Sequence, residues 1–140
     1  MRIERLGPGD DARVIEAEAL FDDAAIPSVT ADFLALPDHY LFVAYEGEAP
    51  AGFVSGVLLV HPDKGREMFL YELAVDEAYR RRGYARALVE RLAAAAREAD
   101  CYGMWVLTDD GNDAALAAYE SAGGHRTSSS RMLEWAGPKG

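Results

Sequence analysis

Three predicted strands follow one another between residues 39 and 75 with no helical segment between them, and this run most restricts the folds open to the chain. Their apolar segments are His39–Tyr45, Ala51–His61 and Met68–Val75. Strands joined by short turns pair antiparallel. A helix predicted over Gly83–Ala99 and a strand over Gly103–Thr108 follow, and a strand-helix-strand unit requires parallel pairing. The chain therefore predicts a mixed, mostly antiparallel sheet with flanking helices, in the α/β (α+β) class.

Shorter elements precede this run. Arg2–Leu6 alternates polar and apolar residues and predicts a first strand. A helix with a broad apolar face follows, capped by Asp10 or Asp11. Thr30 caps a second, shorter helix that Pro37 ends.

Two elements follow the run. Asn112 caps a helix that passes through Tyr119 and ends at Gly123. The segment Arg126–Trp135 predicts a last strand. The complete predicted order is β-α-α-β-β-β-α-β-α-β.

Length and composition predict one domain over residues 1–140, because half of the residues are apolar and the chain is short for two cores. No uncharged run approaches the ~18 residues of a membrane span. The first residues lack the apolar core of a signal peptide. The single cysteine, Cys101, fits a reducing compartment. We therefore expect a cytoplasmic protein with no membrane partner.

Negative charge is concentrated at the start of the chain. The formal charge is −10, and residues 1–50 hold 11 acidic and 3 basic side chains. Such a surface repels nucleic acid and attracts cations over roughly a Debye length. We expect no nucleic-acid partner. Two interpretations stay open: a site for a cationic small molecule, or a charged surface that only keeps the protein soluble.

The segment from Arg80 to Ala85 joins a buried strand to the start of the long helix. Three successive arginines precede Gly83 there. Free N–H groups at a helix start, the positive end of the helix dipole and arginine side chains together favour a phosphate anion. The alternative is a solvated arginine run beside an ordinary helix start.

The pattern Arg80-x-x-Gly83-x-Ala85, after the strand Leu73–Val75 and before an amphipathic helix, resembles the acetyl-coenzyme A signature of the GNAT superfamily of N-acetyltransferases. The resemblance implies the GNAT fold and acetyl-CoA as cofactor. Backbone groups of the strand would bind the pantetheine arm, and the loop would hold the pyrophosphate. The cofactor-binding residues that the resemblance implies are Leu73, Ala74, Val75, Arg80, Arg81, Arg82, Gly83, Tyr84, Ala85, Asn112, Ala115 and Tyr119.

A narrower resemblance is to the small aminoglycoside 3-N-acetyltransferases. It is carried by the segments 69–75, 80–85 and 109–119. It implies acetylation of the 3-amino group of an aminoglycoside, and hence antibiotic resistance. Alternatives are another amine, such as a polyamine, an amino-acid derivative or a protein lysine, and a non-catalytic acetyl-CoA sensor.

Glu72 is the candidate general base. Strict alternation along the strand places it opposite Tyr71, Leu73 and Val75, and partial burial would raise its pKa toward working pH. It would act directly or through a water. Two other interpretations stay open: a carboxylate that anchors the substrate amine, and a buried carboxylate paired with an arginine.

Tyr119 follows Leu116 at helical spacing, which by itself favours core packing. The GNAT resemblance implies a second role, in which Tyr119 protonates the coenzyme A thiolate. The residues expected to bind the acceptor are acidic: Asp22, Asp23, Glu72, Asp109, Asp110 and Asp113.

The remaining reactive residue types predict no further chemistry. His39, His61 and His125 lack the spacing of metal ligands, and we expect no metal. Trp105 is predicted to be a core residue of its strand. The oligomeric state is open, and a homodimer is one option.

Overall fold

A five-stranded sheet forms the centre of the protein in a computed structural model that describes residues 1–127 and 132–137. The strands are β1 (Arg2–Arg5), β2 (His39–Glu46), β3 (Ala49–His61), β4 (Gly65–Val75) and β5 (Cys101–Trp105), and they lie in this order across the sheet. Strands β1 to β4 pair antiparallel, and β5 pairs parallel with β4. The mixed, mostly antiparallel sheet predicted from the sequence is confirmed.

Helices cover both faces of this sheet. They are α1 (Asp11–Glu16), α2 (Pro27–Ala35), α3 (Tyr84–Glu98) and α4 (Asp113–Ser121), with 3-10 turns at Glu18–Leu20 and Glu77–Tyr79. On one side, the α3 face, Leu88 and Leu92 pack against Phe42 of β2. On the other, the α1–α2 face, Val14 and Leu34 are buried with the sheet. Because neighbouring residues of β2 point to opposite, covered faces, residues 40–45 are apolar without interruption.

A bulge in β4 interrupts the alternation of its side chains between the two faces of the sheet. Ser55 of β3 pairs with Glu72 and Gly56 pairs with Leu70, so Tyr71 has no partner on β3. The β4 residues that pack on the α3 face are Met68, Leu70, Leu73 and Val75. The prediction that Tyr71 shares this face is wrong, because the unpaired residue interrupts the two-residue alternation; its ring contacts the ring of Phe69 instead.

Two predicted boundaries need correction. Helix α2 begins at Pro27, and Thr30, predicted as its cap, is buried inside it. A proline suits the first turn because the N–H group it lacks would have no partner there. Strand β5 covers Cys101–Trp105 rather than Gly103–Thr108. The ends of β2, β3, α3 and α4 lie within a few residues of their predictions.

The predicted last strand, Arg126–Trp135, is not found in the part of it that the structure describes. Residues 128–131 lie outside the described residues, and residues 126–127 and 132–135 form no strand. Trp135 is 85% exposed and Met132 73%. These side chains reach no core, so the apolar pattern that predicted a strand has no sheet face to cover. Among the described residues, no helix combines the length and the apolar composition needed to cross a bilayer.

Replacing Gly52 by alanine should lower the free energy of unfolding by about 1–3 kcal/mol. A Cβ atom there would lie 2.8 Å from the backbone oxygen of Ala74, on the neighbouring strand β4. Urea denaturation measures the change. The control is Gly103→Ala in β5, where an added Cβ meets no atom within 4 Å and the stability should stay within about 0.5 kcal/mol. Equal effects of the two variants would contradict the prediction.

Candidate functional site

The edge of β4 that faces β5 is open over its last residues. Strand β5 pairs with Arg66, Met68 and Phe69, whereas β3 pairs with β4 as far as Val75. Within residues 1–127 and 132–137, the backbone groups of β4 that point away from β3 beyond Phe69 therefore have no sheet partner. Arg80 donates from Nε to the carbonyl oxygen of Val75 at 3.3 Å. An extended ligand with amide groups can add to this edge as a strand would.

The loop that follows β4 is shaped to bind an anion. Gly83 has φ +85° and immediately precedes α3, and Arg81 also has a positive φ, +65°. No side chain caps the helix, and its first N–H groups have no partner within it. Arg81 and Arg82 are exposed, and the guanidinium of Arg82 lies 5.6 Å from the ring centroid of Tyr79. The loop thus offers backbone donors and positive charge to one ligand.

Tyr84 has a structural side chain. Its ring is buried on the α3 face, and its hydroxyl donates a hydrogen bond to Glu46 at the end of β2. Only its backbone N–H, in the first turn of α3, is left for an anion. Ala85 also lies in this first turn, and its backbone N–H is the group it can offer to an anion.

Glu72 points to the α1–α2 face, opposite to the face covered by α3. It is half-buried beside the open edge of β4. Burial raises the pKa of Glu72 above the ordinary value, and the negative charge of Asp22 adds to the increase. The predicted partial burial is confirmed, and the pairing with an arginine is not found among the described ion pairs. A carboxylate of this kind can accept a proton at a pH above its usual range.

Helix α4 brings Tyr119 to the α3 face, where it packs against the buried cluster, as Leu73 and Val75 also do. Burial raises the pKa of its hydroxyl, so the group keeps its proton at neutral pH. Tyr119 and Glu72 therefore lie on opposite faces of the sheet. The cap predicted at Asn112 is confirmed, since its Oδ1 accepts from the N–H of Ala115 at 3.2 Å. The Nδ2 donor of Asn112 is left for a ligand.

The acidic residues predicted beside Glu72 lie on the protein surface. All five flanking carboxylates are exposed: Asp22, Asp23, Asp109, Asp110 and Asp113. Only Asp22 raises the pKa of Glu72, which links it to the site. Asp113 lies in the first turn of α4, where a negative charge also stabilises the helix.

Aromatic residues on β4 and β5 form a surface that the sequence pattern did not predict. The rings of Phe69 and Trp105 stack with centroids 4.3 Å apart, and Tyr71 continues the row. Trp105 is 39% exposed and Tyr71 62%, so the prediction of Trp105 as a core residue is wrong. Strand β5 lies at the edge of the described sheet, where one face is left uncovered. The sequence signal for this surface was the two aromatic residues at positions 69 and 71, which are separated by one residue.

The comparison with known families agrees with this geometry. The model of the acetyltransferase (GNAT) family matches residues 10–124. The chain belongs to the GNAT acetyltransferase family. These enzymes use acetyl-CoA, and the open β4 edge and the arginine loop fit its pantetheine and pyrophosphate parts.

Relatives of this GNAT chain differ in their acceptors. Human N-alpha-acetyltransferase 30 is 35% identical over 82 residues, which are 59% of this chain and 23% of the relative. The chain thus spans less than a third of the length of that relative. An aminoglycoside acetyltransferase from an uncultured soil metagenomic sample, in complex with sisomicin, has TM-score 0.88 at 21% identity, covering 96% of this chain and 95% of that one. AAC(6')-Iy in complex with a CoA-containing bisubstrate analogue has TM-score 0.82 at 15% identity, covering 96% and 97%. The two structures share the fold.

Replacing Arg82 by glutamate should weaken acetyl-CoA binding by more than about tenfold, because it puts a negative charge beside the pyrophosphate. Titration calorimetry measures the affinity. Arg97→Glu is the control, since it makes the same charge change on an exposed residue at the far end of α3. An equal loss in both variants would assign the effect to net charge rather than to the loop.

Proposed function

We propose that this GNAT enzyme transfers the acetyl group of acetyl-CoA to a primary amine of a cationic small molecule, and that its preferred acceptor is the 3-amino group of an aminoglycoside. The observation that carries the proposal is Glu72, a half-buried carboxylate with a raised pKa beside the open edge of β4. It faces the acidic segment that contains Asp22.

Bound acetyl-CoA supplies the acetyl group as a thioester, and coenzyme A leaves as the thiolate when the amide bond forms. Glu72 takes a proton from the substrate ammonium, which frees the lone pair of the nitrogen. Free N–H groups near Val75 stabilise the negative charge that develops on the carbonyl oxygen. Tyr119, which keeps its proton at neutral pH, donates it to the leaving sulfur. The nitrogen releases its second proton to water as the amide forms, and Tyr119 regains a proton from water.

The acceptor class follows from charge. Asp22 and Asp23 lie in the exposed segment between α1 and α2, within the part of the chain that holds most of the excess negative charge. The other ammonium groups of a polycation would pair with these carboxylates and with Asp109, Asp110 and Asp113. The sisomicin complex of a protein with the same fold supports this class. The 3-position itself rests on the resemblance of the segments 69–75, 80–85 and 109–119.

A second candidate is acetylation of a polypeptide amine. It is favoured by the 35% identity over 82 residues to N-alpha-acetyltransferase 30. The row of Phe69, Tyr71 and Trp105, in which Tyr71 and Trp105 are exposed, would suit the apolar side chains of an extended peptide. The presence of both Glu72 and Tyr119 argues against a non-catalytic acetyl-CoA sensor, because such a protein needs neither residue.

Glu72→Gln should lower kcat by about 10²–10⁴-fold. In the wild type, activity should fall as the pH falls through the raised pKa of Glu72, because the protonated carboxyl cannot accept a proton. The variant should lack this acidic limb. Glu48→Gln, in an exposed turn, is the control and should behave as wild type. A wild-type rate for Glu72→Gln would return Glu72 to a structural role.

Tyr119→Phe should lower kcat and leave acetyl-CoA affinity within about twofold. The ring keeps its packing on the α3 face, so only the proton donor is lost. Steady-state kinetics and calorimetry separate the two quantities. Tyr102→Phe is the control, because that hydroxyl bonds Glu67 at the other end of the sheet. Unchanged turnover in Tyr119→Phe would leave this tyrosine with core packing alone.

A panel of amines tests the acceptor class. Thiol release from acetyl-CoA should be fastest with sisomicin or gentamicin and slower with spermidine. It should be slowest with a peptide that has an N-terminal alanine and with a peptide that contains an internal lysine. Mass spectrometry should find one added acetyl group, and proton NMR should place it on the 3-amino group. Transfer to another amino group would reject the 3-position, and preference for a peptide would favour the second candidate.

A further inference from the structure

Ser55 has a buried hydroxyl that nothing in the fold uses. The residue lies in the middle of β3 and is 9% exposed, and its Oγ has no hydrogen-bond partner among the described residues. A buried hydroxyl without a partner costs free energy. Apolar or small side chains would fill the same position at lower cost, so the hydroxyl calls for a use outside the packing.

Of the two residues that pair with Ser55 on the neighbouring strands, one has a polar side chain. In the register of the sheet it pairs with Leu41 on β2 and with Glu72 on β4. Leu41 belongs to the apolar cluster on the α1–α2 face and offers no polar atom. Directly paired residues have Cβ atoms about 4.5–5.5 Å apart. Rotation of the Glu72 side chain therefore brings its carboxylate within reach of the Ser55 hydroxyl.

The bulge in β4 makes this pairing specific. The register shifts between Ser55 and Gly56. Ser55 pairs with Glu72, and the next residue of β3, Gly56, pairs with Leu70. Gly56 packs against Leu92 and Met68 on the α3 face and supplies no polar side chain. Ser55 thus carries a hydroxyl on the same face of the sheet as the candidate base, Glu72, and is paired directly with it.

We propose that Ser55 is a positioning residue for acetyl transfer, whose hydroxyl donates a hydrogen bond to the ionised carboxylate of Glu72 and holds it toward the substrate amine. The inference rests on the proposed function, in which Glu72 is the base. The bond favours the charged form of Glu72 and opposes the effects of burial and of Asp22. Among the described residues, Asp22 is the charged group whose field reaches Glu72.

The test compares wild type with Ser55→Ala, Ser55→Thr and Tyr45→Phe. Titration of the ¹³C-labelled Glu72 carboxyl by NMR gives its pKa without any acceptor, and the pH dependence of kcat/KM with sisomicin gives the acidic limb. Ser55→Ala should raise the pKa of Glu72 by at least about half a unit, move the acidic limb the same way and lower kcat by about tenfold. Ser55→Thr keeps the hydroxyl and should restore both. Tyr45→Phe removes a buried hydroxyl elsewhere on the same face and should change neither.

The outcomes separate this inference from the proposed function. An unchanged Glu72 pKa in Ser55→Ala overturns the hydrogen bond, and with it the role of Ser55, even if Glu72→Gln is inactive. A shifted pKa together with wild-type turnover in Glu72→Gln overturns the positioning role, because Glu72 is then not the base. Urea denaturation checks that Ser55→Ala folds, which is expected since it removes only an unpaired buried group.

Discussion

The site depends on one constraint, which is that β4 continues to Val75 although its pairing with β5 ends at Phe69. A strand with a free edge is ordinarily unstable or prone to pair with another chain. Here β3 pairs with β4 from Gly65 to Val75 except at the bulge at Tyr71, and α3 covers one face of the strand. The close approach of β3, where Gly52 leaves no room for a Cβ, keeps this support in place. The free backbone groups can therefore stay rigid and available to a ligand.

The two faces of β4 place different chemistry on either side of that edge. Tyr119 arrives from α4 on the α3 face, where burial raises the pKa of its hydroxyl. Glu72 points to the opposite face, where burial and Asp22 raise its pKa. A proton acceptor and a proton donor on opposite faces of the sheet suit a reaction in which the nucleophile must lose protons and the leaving group must gain one.

The sequence predicted the elements much better than the details of the site. Short turns between residues 39 and 75 implied antiparallel pairing, and the helical spacing of Leu88 and Leu92 implied α3, because both signals are local. The bulge at Tyr71 could not be predicted, since it depends on how β3 and β4 align over their whole lengths. The exposure of Trp105 follows from the position of β5 at the edge of the described sheet, which a strand's own residues do not specify. Thr30 matched a cap by residue type, but Pro27 began the helix first.

By itself, the sequence determined the fold class, the order of its elements through α4 and the arginine loop before the long helix, because turn residues, periodicity and charge act within a few residues of where they occur. It also identified Glu72 as a candidate base, whereas the reactive role of Tyr119 was implied by the GNAT resemblance and not by its helical spacing. Only the tertiary structure decided that β5 leaves the end of β4 unpaired, that Glu72 and Tyr119 lie on opposite faces, and that Ser55 is buried opposite Glu72. These features are set by long-range strand register and by helix packing, and a shift of one residue moves a side chain to the other face of the sheet.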